Sequence, residues 1–240
     1  MKLFGKNLDE TVAVVAEIGL NHEGDVAAAE RLITLAAQSG ADAVKLQTYT
    51  PERYASASDP QRLARVTQFA LSEEAHLQLA THAAKLDIPL FSTALTEDVV
   101  GFLSRWCPAI KIASGDVTFE PVIRAAIRTG KPVILSTGNC TTDEIDQALK
   151  WCSLELDEIA LNDRLILMHC VAAYPVPIEQ ANVSSVQFLR QRYGLTTGYS
   201  NHVIGAEAVL AAVAVGAQLI EVRFTDQREG REFRDHALSF

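Results

Sequence analysis

The chain has 240 residues, of which 48% are hydrophobic and 21% are charged, and its net charge is −9. This length fits one α/β domain, and the acidic balance, with no basic run to offset it, argues against a nucleic-acid surface. No apolar stretch reaches the ~18 residues of a membrane span, and the start of the chain lacks the apolar segment of a signal peptide. The four cysteines show no metal-binding spacing, so we expect reduced thiols in a cytoplasmic protein.

Short apolar runs recur along the chain and predict eight β-strands, with helical patterns between them. The strands are predicted at residues 12–19, 42–47, 89–94, 109–114, 132–137, 165–170, 196–201 and 219–224. The helices are predicted at residues 25–39, 73–86, 141–152, 183–193 and 205–215. Two long loops, at 48–63 and 174–182, break the alternation, and we expect them to contact substrate. The pattern predicts one (β/α)₈ TIM barrel over residues 1–240, with its last helix missing or vestigial.

Two lysines, Lys45 and Lys111, lie inside apolar strands, near the carboxyl ends where barrel enzymes carry their chemistry. A buried ammonium group is costly unless an anion accompanies it. One interpretation is a structural ion pair with Glu17 or Asp116. The other is a cradle for the phosphate or carboxylate of a small substrate, and the serines at neighbouring strand ends favour it: Ser114, Ser136 and Ser200.

Three further ionisable residues lie at or just after strand ends. Glu17 ends the first strand and His22 follows in the next loop, and either alone fits a salt bridge or a loop contact as well as catalysis. Together with the lysines they favour an active site. His202 could bind a divalent metal or cap the barrel, and Asp235 is expected in a polar network.

The strings AEIGLNHEGD, GADAVKLQTYTPERY, KIASGD, ILSTGN, HCVAAYPVP and GYSNHVIG occur in strand order and resemble the sialic acid synthase family. The resemblance runs from residue 13 to about 239. It implies a transferase that condenses phosphoenolpyruvate with an N-acetylated amino sugar, forming a sialic-type acid and releasing phosphate. It implies small-molecule substrates, no organic cofactor and a homo-oligomer such as a dimer.

The resemblance also assigns roles to individual residues. Glu17 would act as acid or base near the reacting centre, and His202 would ligate Mn²⁺ or Mg²⁺. His22 is a catalytic candidate from its place in the loop after Glu17, and not from the resemblance. Acceptor-sugar contacts would come from Gln47, Tyr174 and Asp235. Phosphoenolpyruvate would be bound by Lys45, Lys111, Ser114, Ser136 and Ser200.

The chain departs from the family at its eighth strand. The family reads IEKHF there, and its histidine is a second metal ligand, whereas this chain reads IEVRF, with Arg223 in place of that histidine. An arginine cannot ligate a metal, so metal binding should be weak. The family's C-terminal antifreeze-like domain, which delivers an arginine across its dimer, is not part of this sequence.

Three hypotheses follow. In the first, Arg223 supplies the positive charge that the metal gives elsewhere and is a catalytic residue. In the second, the barrel catalyses a different aldol-type reaction. In the third, it only binds its ligand and has a regulatory role. A separately encoded chain could also supply the domain.

Overall fold

Ten strands are present in the computed structural model, which describes all 240 residues. A short antiparallel hairpin comes first, formed by β1 (Lys2–Leu3) and β2 (Lys6–Asn7). The other eight are β3 (Ala13–Gly19), β4 (Ala43–Thr48), β5 (Leu90–Ala94), β6 (Ile110–Ile112), β7 (Val133–Ser136), β8 (Leu165–His169), β9 (Thr196–Asn201) and β10 (Leu219–Arg223). These eight pair in parallel in chain order, and β10 closes the barrel against β3. The TIM barrel and its eight strands are confirmed.

Ten α-helices connect or flank the strands. They are α1 (Val26–Gln38), α2 (Pro51–Tyr54), α3 (Pro60–Phe69), α4 (Glu73–Lys85), α5 (Val100–Leu103), α6 (Glu120–Arg128), α7 (Thr142–Ser153), α8 (Glu158–Arg164), α9 (Ser184–Tyr193) and α10 (Glu207–Ala214). After β10 the chain forms a 3₁₀ helix, Arg234–Leu238. No helix combines the length and apolar character that crossing a membrane requires.

The sequence prediction lacks helices α2, α3, α5, α6 and α8. The expected loop at 48–63 contains α2 and the start of α3, which begins at Pro60 after the cap residue Asp59. Helix α6 also has a proline in its first turn, and it buries Val122, Ile123 and Ala126. Proline is favoured at the first helical position because the missing N–H would be unpaired there in any case.

The strands fill the barrel on one face and support the helices on the other. In β3, Ala13 and Val15 belong to the main hydrophobic core, whereas Ala16 and Ile18 pack with residues of α1 and α4. This alternation is the period of two of an extended strand. Glu17 lies two residues after Val15 and therefore on the same face of β3. The face that fills the core thus carries a carboxylate near the carboxyl end of the strand.

Strand register brings the charged residues side by side. Arg223 of β10 is paired with Glu17 of β3, which in turn is paired with Lys45 of β4. On the other side of β10, Glu221 is level with Ser200 of β9. The register therefore concentrates ionisable side chains at the carboxyl ends of the strands, the face where TIM barrels carry active sites.

Candidate active site

A cavity of about 450 Å³ opens at the carboxyl ends of the strands. Eleven of the twelve residues predicted for a catalytic, substrate-binding or metal-binding role line it: Glu17, Lys45, Gln47, Lys111, Ser114, Ser136, Tyr174, Ser200, His202, Arg223 and Asp235. The twelfth, His22, does not. It is buried in the loop after β3, where its Nδ1 accepts a hydrogen bond from the backbone N–H of Gly24, 3.0 Å away. Burial lowers the pKa of His22 to about 4.

Lys45 is paired with carboxylates. Its Nζ lies 2.5 Å from Oε2 of Glu17 and 3.7 Å from Oε2 of Glu221, and it donates to the Thr93 hydroxyl at 2.7 Å. The ion pair with Glu17 that the sequence allowed is therefore present. Asp116, the other candidate partner, does not line the cavity.

The charge of Lys111 is balanced by nearby carboxylates much less than that of Lys45. Its Nζ donates to the Ser136 hydroxyl at 2.6 Å, but the nearest carboxylate oxygen, Oε2 of Glu221, is 3.9 Å away. Burial lowers the pKa of Lys111, and Lys45 adds to this effect while Glu221 opposes it. A buried ammonium group with unused donors is a site that can accept an anion.

Glu221 is a site residue that the sequence analysis missed. Burial alone would raise its pKa, but the charges of Lys111 and Lys45 outweigh burial and lower the pKa to about 2. Its Oε1 accepts a hydrogen bond from the Ser200 hydroxyl at 2.9 Å. The sequence could have identified Glu221, because it lies inside an apolar strand two residues before Arg223. Side chains two residues apart in a strand point to the same face, so Glu221 faces the cavity with Arg223.

Arg223 is held by two carboxylates and an aromatic ring. Its Nη1 lies 2.9 Å from Oδ2 of Asp235 and 3.2 Å from Oε1 of Glu17, and its guanidinium lies 5.5 Å from the centroid of the Tyr174 ring. Burial alone would lower the pKa of Arg223, but the carboxylates of Asp235 and Glu17 outweigh burial and raise the pKa above its usual value. Its Nε is buried and makes no hydrogen bond within the protein.

Gly19 makes room for this cluster. It has a φ of +56°, and a Cβ at its position would lie 2.9 Å from Oε1 of Glu17, 3.1 Å from Nη1 of Arg223 and 3.2 Å from Nε2 of Gln47. That amide nitrogen donates to Glu17 at 2.9 Å. A residue with a side chain would therefore be strained in backbone and would crowd the Glu17 contacts.

His202 presents an unprotonated nitrogen to the cavity. Its Nδ1 donates to the carbonyl oxygen of Val171 at 2.7 Å, so in the neutral ring the lone pair is on Nε2. Burial and the nearby charge of Arg223 lower the pKa of His202 to about 3. The ring also contacts Tyr174, with 4.3 Å between the centroids.

These residues do not fit the two-histidine metal site that the resemblance implies. The guanidinium of Arg223 stands where the second imidazole would be, and it engages the carboxylates of Glu17 and Asp235. No three His, Cys, Asp or Glu side chains are grouped so that they could hold a metal ion. His202 offers one nitrogen ligand only.

Three arginines at the mouth of the cavity were not predicted from the sequence. Arg62 and Arg65 of α3 and Arg234 of the last 3₁₀ helix line the cavity and are exposed. The spacing of α3 puts both of its arginines on the helical face of Val66 and Phe69, but only the packing of that face against the barrel directs them to the cavity.

Comparison with known proteins identifies relatives over nearly the whole chain. A family model described as the NeuB family matches residues 32–240. The N,N'-diacetyllegionaminic acid synthase of Campylobacter jejuni is 35% identical over 226 residues, which are 88% of this chain and 67% of that protein. The N-acetylneuraminate-9-phosphate synthase of Drosophila melanogaster is 31% identical over 249 residues, covering 98% of this chain and 65% of that protein.

The fold comparison gives the same result. The crystal structure of the N-acetylneuraminic acid synthetase of Leptospira borgpetersenii, in complex with citrate, superposes with a TM-score of 0.89 and 32% identity. The superposition covers 96% of this chain and 78% of that chain. The chain spans about two thirds of the length of the curated relatives it matches.

Proposed function

Because this chain belongs to the NeuB family, we propose that it condenses phosphoenolpyruvate with an N-acetylated amino sugar to form a sialic-type acid. The observation that carries the proposal is Lys111. This buried ammonium group donates to Ser136 and has no carboxylate closer than 3.9 Å, so it can accept an anionic ligand at the base of the cavity.

The phosphate and carboxylate of phosphoenolpyruvate would be bound by cations and hydroxyl groups on several strands. Lys111 and Ser136 would supply the first contacts, and Lys45 would contribute once the ligand competes with Glu17 for its ammonium group. Ser114 and Ser200 would add hydroxyl donors. Charge-assisted hydrogen bonds of this kind are about twice as strong as neutral ones, which suits the recognition of a small multiply charged anion.

The reaction joins C3 of phosphoenolpyruvate to the aldehyde carbon of the open-chain sugar, and the aldehyde oxygen takes up a proton. Water then adds at C2, and the tetrahedral intermediate expels phosphate to leave a 2-keto acid. In this chain Arg223 would stabilise the negative charge that develops on the aldehyde oxygen, because it is a fixed cation with an unused Nε–H. Glu17, in contact with Lys45 and Arg223, would exchange the proton.

His202, Gln47, Tyr174 and Asp235 would contact or orient the acceptor, and His22 stays a prediction as a catalytic residue. We also propose a homo-oligomer and a cytoplasmic location. The four unpaired cysteines are in keeping with that location.

A phosphate-release assay tests the proposed activity. Purified protein with phosphoenolpyruvate and N-acetylmannosamine should release phosphate and form a condensation product detectable by mass spectrometry. EDTA should change the rate by less than about twofold, because the residues present supply a cation but no metal site. Binding of phosphoenolpyruvate without any product would instead favour the regulatory barrel.

A further inference from the structure

A second cavity, of about 380 Å³, lies beside the first at the carboxyl ends of β7 and β8. It is bounded by the loops that follow these two strands and by the beginnings of α7 and α9. Cys170 lines both cavities and so forms part of the wall between them. The proposed reaction uses none of the residues that line the second cavity.

The lining of the second cavity carries no charged side chain. None of its 14 residues is Asp, Glu, Lys or Arg, whereas ten such residues line the first cavity. An anion that left water for the second cavity would find no counter-ion there, so the cavity favours an uncharged ligand. Its volume falls within the range of roughly 300–1,000 Å³ that is usual for small-molecule sites.

His169 presents a hydrogen-bond acceptor to the second cavity. The residue is only 8% exposed, and its Nε2 donates to the carbonyl oxygen of Ala181 at 2.9 Å, so in the neutral ring the lone pair is on Nδ1. Burial lowers the pKa of His169, which favours that neutral ring. Nδ1 makes no hydrogen bond within the protein and is not one of its fully buried unpartnered atoms, so it is open to the cavity. A ligand must therefore donate to it, which a hydroxyl group can do and an ionised phosphate or carboxylate cannot.

Hydroxyl, amide and aromatic groups complete the lining. The hydroxyl groups of Thr142 and Ser185 and the carboxamide of Asn139 make no hydrogen bond within the protein, and each can donate and accept. Beside them the Phe188 ring is 46% exposed, so one of its faces is available for contact. This combination suits a sugar ring, because its C–H face can pack on an aromatic ring while its hydroxyl groups donate and accept.

The walls of the second cavity are fixed by contacts within the protein. In the loop after β7, the backbone N–H of Thr137 donates to the carbonyl oxygen of Met168 at 2.9 Å, and the Cys140 thiol donates to that of Thr137 at 2.9 Å. Thr141 then begins α7 in a capping box with Glu144. Preformed walls reduce the ordering that a ligand must impose, so a small ligand can bind with measurable affinity.

We propose that the second cavity binds the ring of an uncharged sugar. One sugar hydroxyl would donate to Nδ1 of His169, others would pair with Ser185 and Asn139, and the C–H face of the ring would pack on Phe188. A nucleobase is less suited, since Phe188 can stack on only one of its faces. The inference goes beyond the proposed function and does not depend on turnover.

Calorimetry with methyl glycosides tests the inference, because a glycoside cannot open to an aldehyde and so cannot act as acceptor in the proposed reaction. At least one of the methyl glycosides of glucose, galactose, mannose and N-acetylglucosamine should bind with a Kd of about 1 mM or lower. Phe188→Ala should weaken that binding at least about tenfold. Phe119→Ala is the matched control, because Phe119 is 39% exposed but lines neither cavity, and it should leave the affinity unchanged. A thermal melt of each variant verifies that it is folded.

Nuclear magnetic resonance gives a second readout. The Nδ1 signal of His169, assigned with His169→Gln, should shift when the glycoside binds, because a hydroxyl group then donates to that nitrogen. An unchanged signal with the glycoside bound would contradict the inference.

Three calorimetric results would also overturn it. The first is that none of the glycosides binds. The second is equal affinity in Phe188→Ala and the wild-type protein, which would place the sugar elsewhere, the first cavity included. The third is binding of cytidine or adenosine more tightly than any glycoside, which would assign the cavity to a nucleobase. Each result is independent of whether the protein releases phosphate from phosphoenolpyruvate, so the proposed activity and this inference fail separately.

Discussion

Arg223 has a different chemical character from the metal ligand it replaces. A guanidinium group remains charged at every relevant pH, whereas an imidazole must be neutral to ligate a metal. Here the charge is compensated by Asp235 at 2.9 Å and Glu17 at 3.2 Å. These contacts fix the guanidinium beside His202 and Tyr174, so a cation is permanently present at the position where the acceptor aldehyde is proposed to react.

Arg223→His should create a metal site. The new imidazole would join Nε2 of His202, and Glu17 and Asp235 would lose their cation and become available as oxygen ligands. We expect Mn²⁺ to bind this variant at least about tenfold more tightly than the wild-type protein, by calorimetry. Arg223→Gln, which removes the charge without adding a ligand, is the control and should not gain affinity. Equal Mn²⁺ affinity in all three proteins would mean that His202 does not face a metal-competent position.

His202 should stay neutral throughout the range in which most histidines titrate. Its pKa is lowered to about 3, whereas a histidine in the unfolded chain titrates near ~6.5. Between these values the unfolded chain binds the additional proton, so His202 makes the folded state less stable as pH falls from ~6.5.

Nuclear magnetic resonance of the imidazole nitrogens provides the measurement. The His202 signals, assigned with His202→Gln, should show the Nδ1–H tautomer and no titration between pH 8 and 5. A midpoint in that range would refute the account of this residue.

The β-strands are the elements that the sequence predicts best, because each is an apolar run whose polar residues collect at one end. Lys45 and Lys111 could be identified for the same reason, since a lysine within such a run needs a functional or ionic partner. Glu221 could have been identified by the same argument. His22 could not be placed, because its position depends on how the loop after β3 folds, and no local pattern reports that.

The helices at the rim were harder to predict than those that cover the barrel. Helix α3 has charged and polar residues on most of its surface, and only Val66 and Phe69 are buried. Its arginines line the cavity because those two residues pack on Leu20 and Tyr49, far away in the sequence. Such a contact is a tertiary one, and the sequence pattern of the helix alone does not contain it.

Gly198 allows β9 to approach its neighbours closely. A Cβ at this position would lie 2.5 Å from the backbone oxygen of Leu219 in β10 and 2.9 Å from Cε of Met168 in β8. Gly198→Ala should therefore destabilise the protein by about 1–3 kcal/mol, because the backbone must shift to admit the methyl group. Urea unfolding measures this change.

Gly101→Ala is the matched control. This glycine lies in α5, and a methyl group added there would have no atom within 4 Å, so the same substitution should stabilise the protein by about 0.5–1 kcal/mol. Equal effects of the two alanines would contradict the close strand packing at β9.

At the scale of the whole molecule, the barrel concentrates positive charge in one cavity of an acidic protein. The chain has a net charge of −9, yet six of its 21 lysines and arginines line one cavity with four carboxylates. Barrel closure produces this arrangement, because it brings residues from β3, β4, β6 and β10 to a common rim. A field of this kind attracts anionic substrates and falls with ionic strength.

Binding of phosphoenolpyruvate by Lys111 tests the central claim most directly. Calorimetry should show binding to the wild-type protein and to Lys150→Met, which removes an exposed lysine of α7 outside the cavity. Lys111→Met should weaken binding at least about 100-fold, because a buried charge-assisted contact to the anion is lost. If Lys111→Met binds phosphoenolpyruvate as tightly as the wild-type protein, the anion does not bind at this lysine and the proposed active site is wrong.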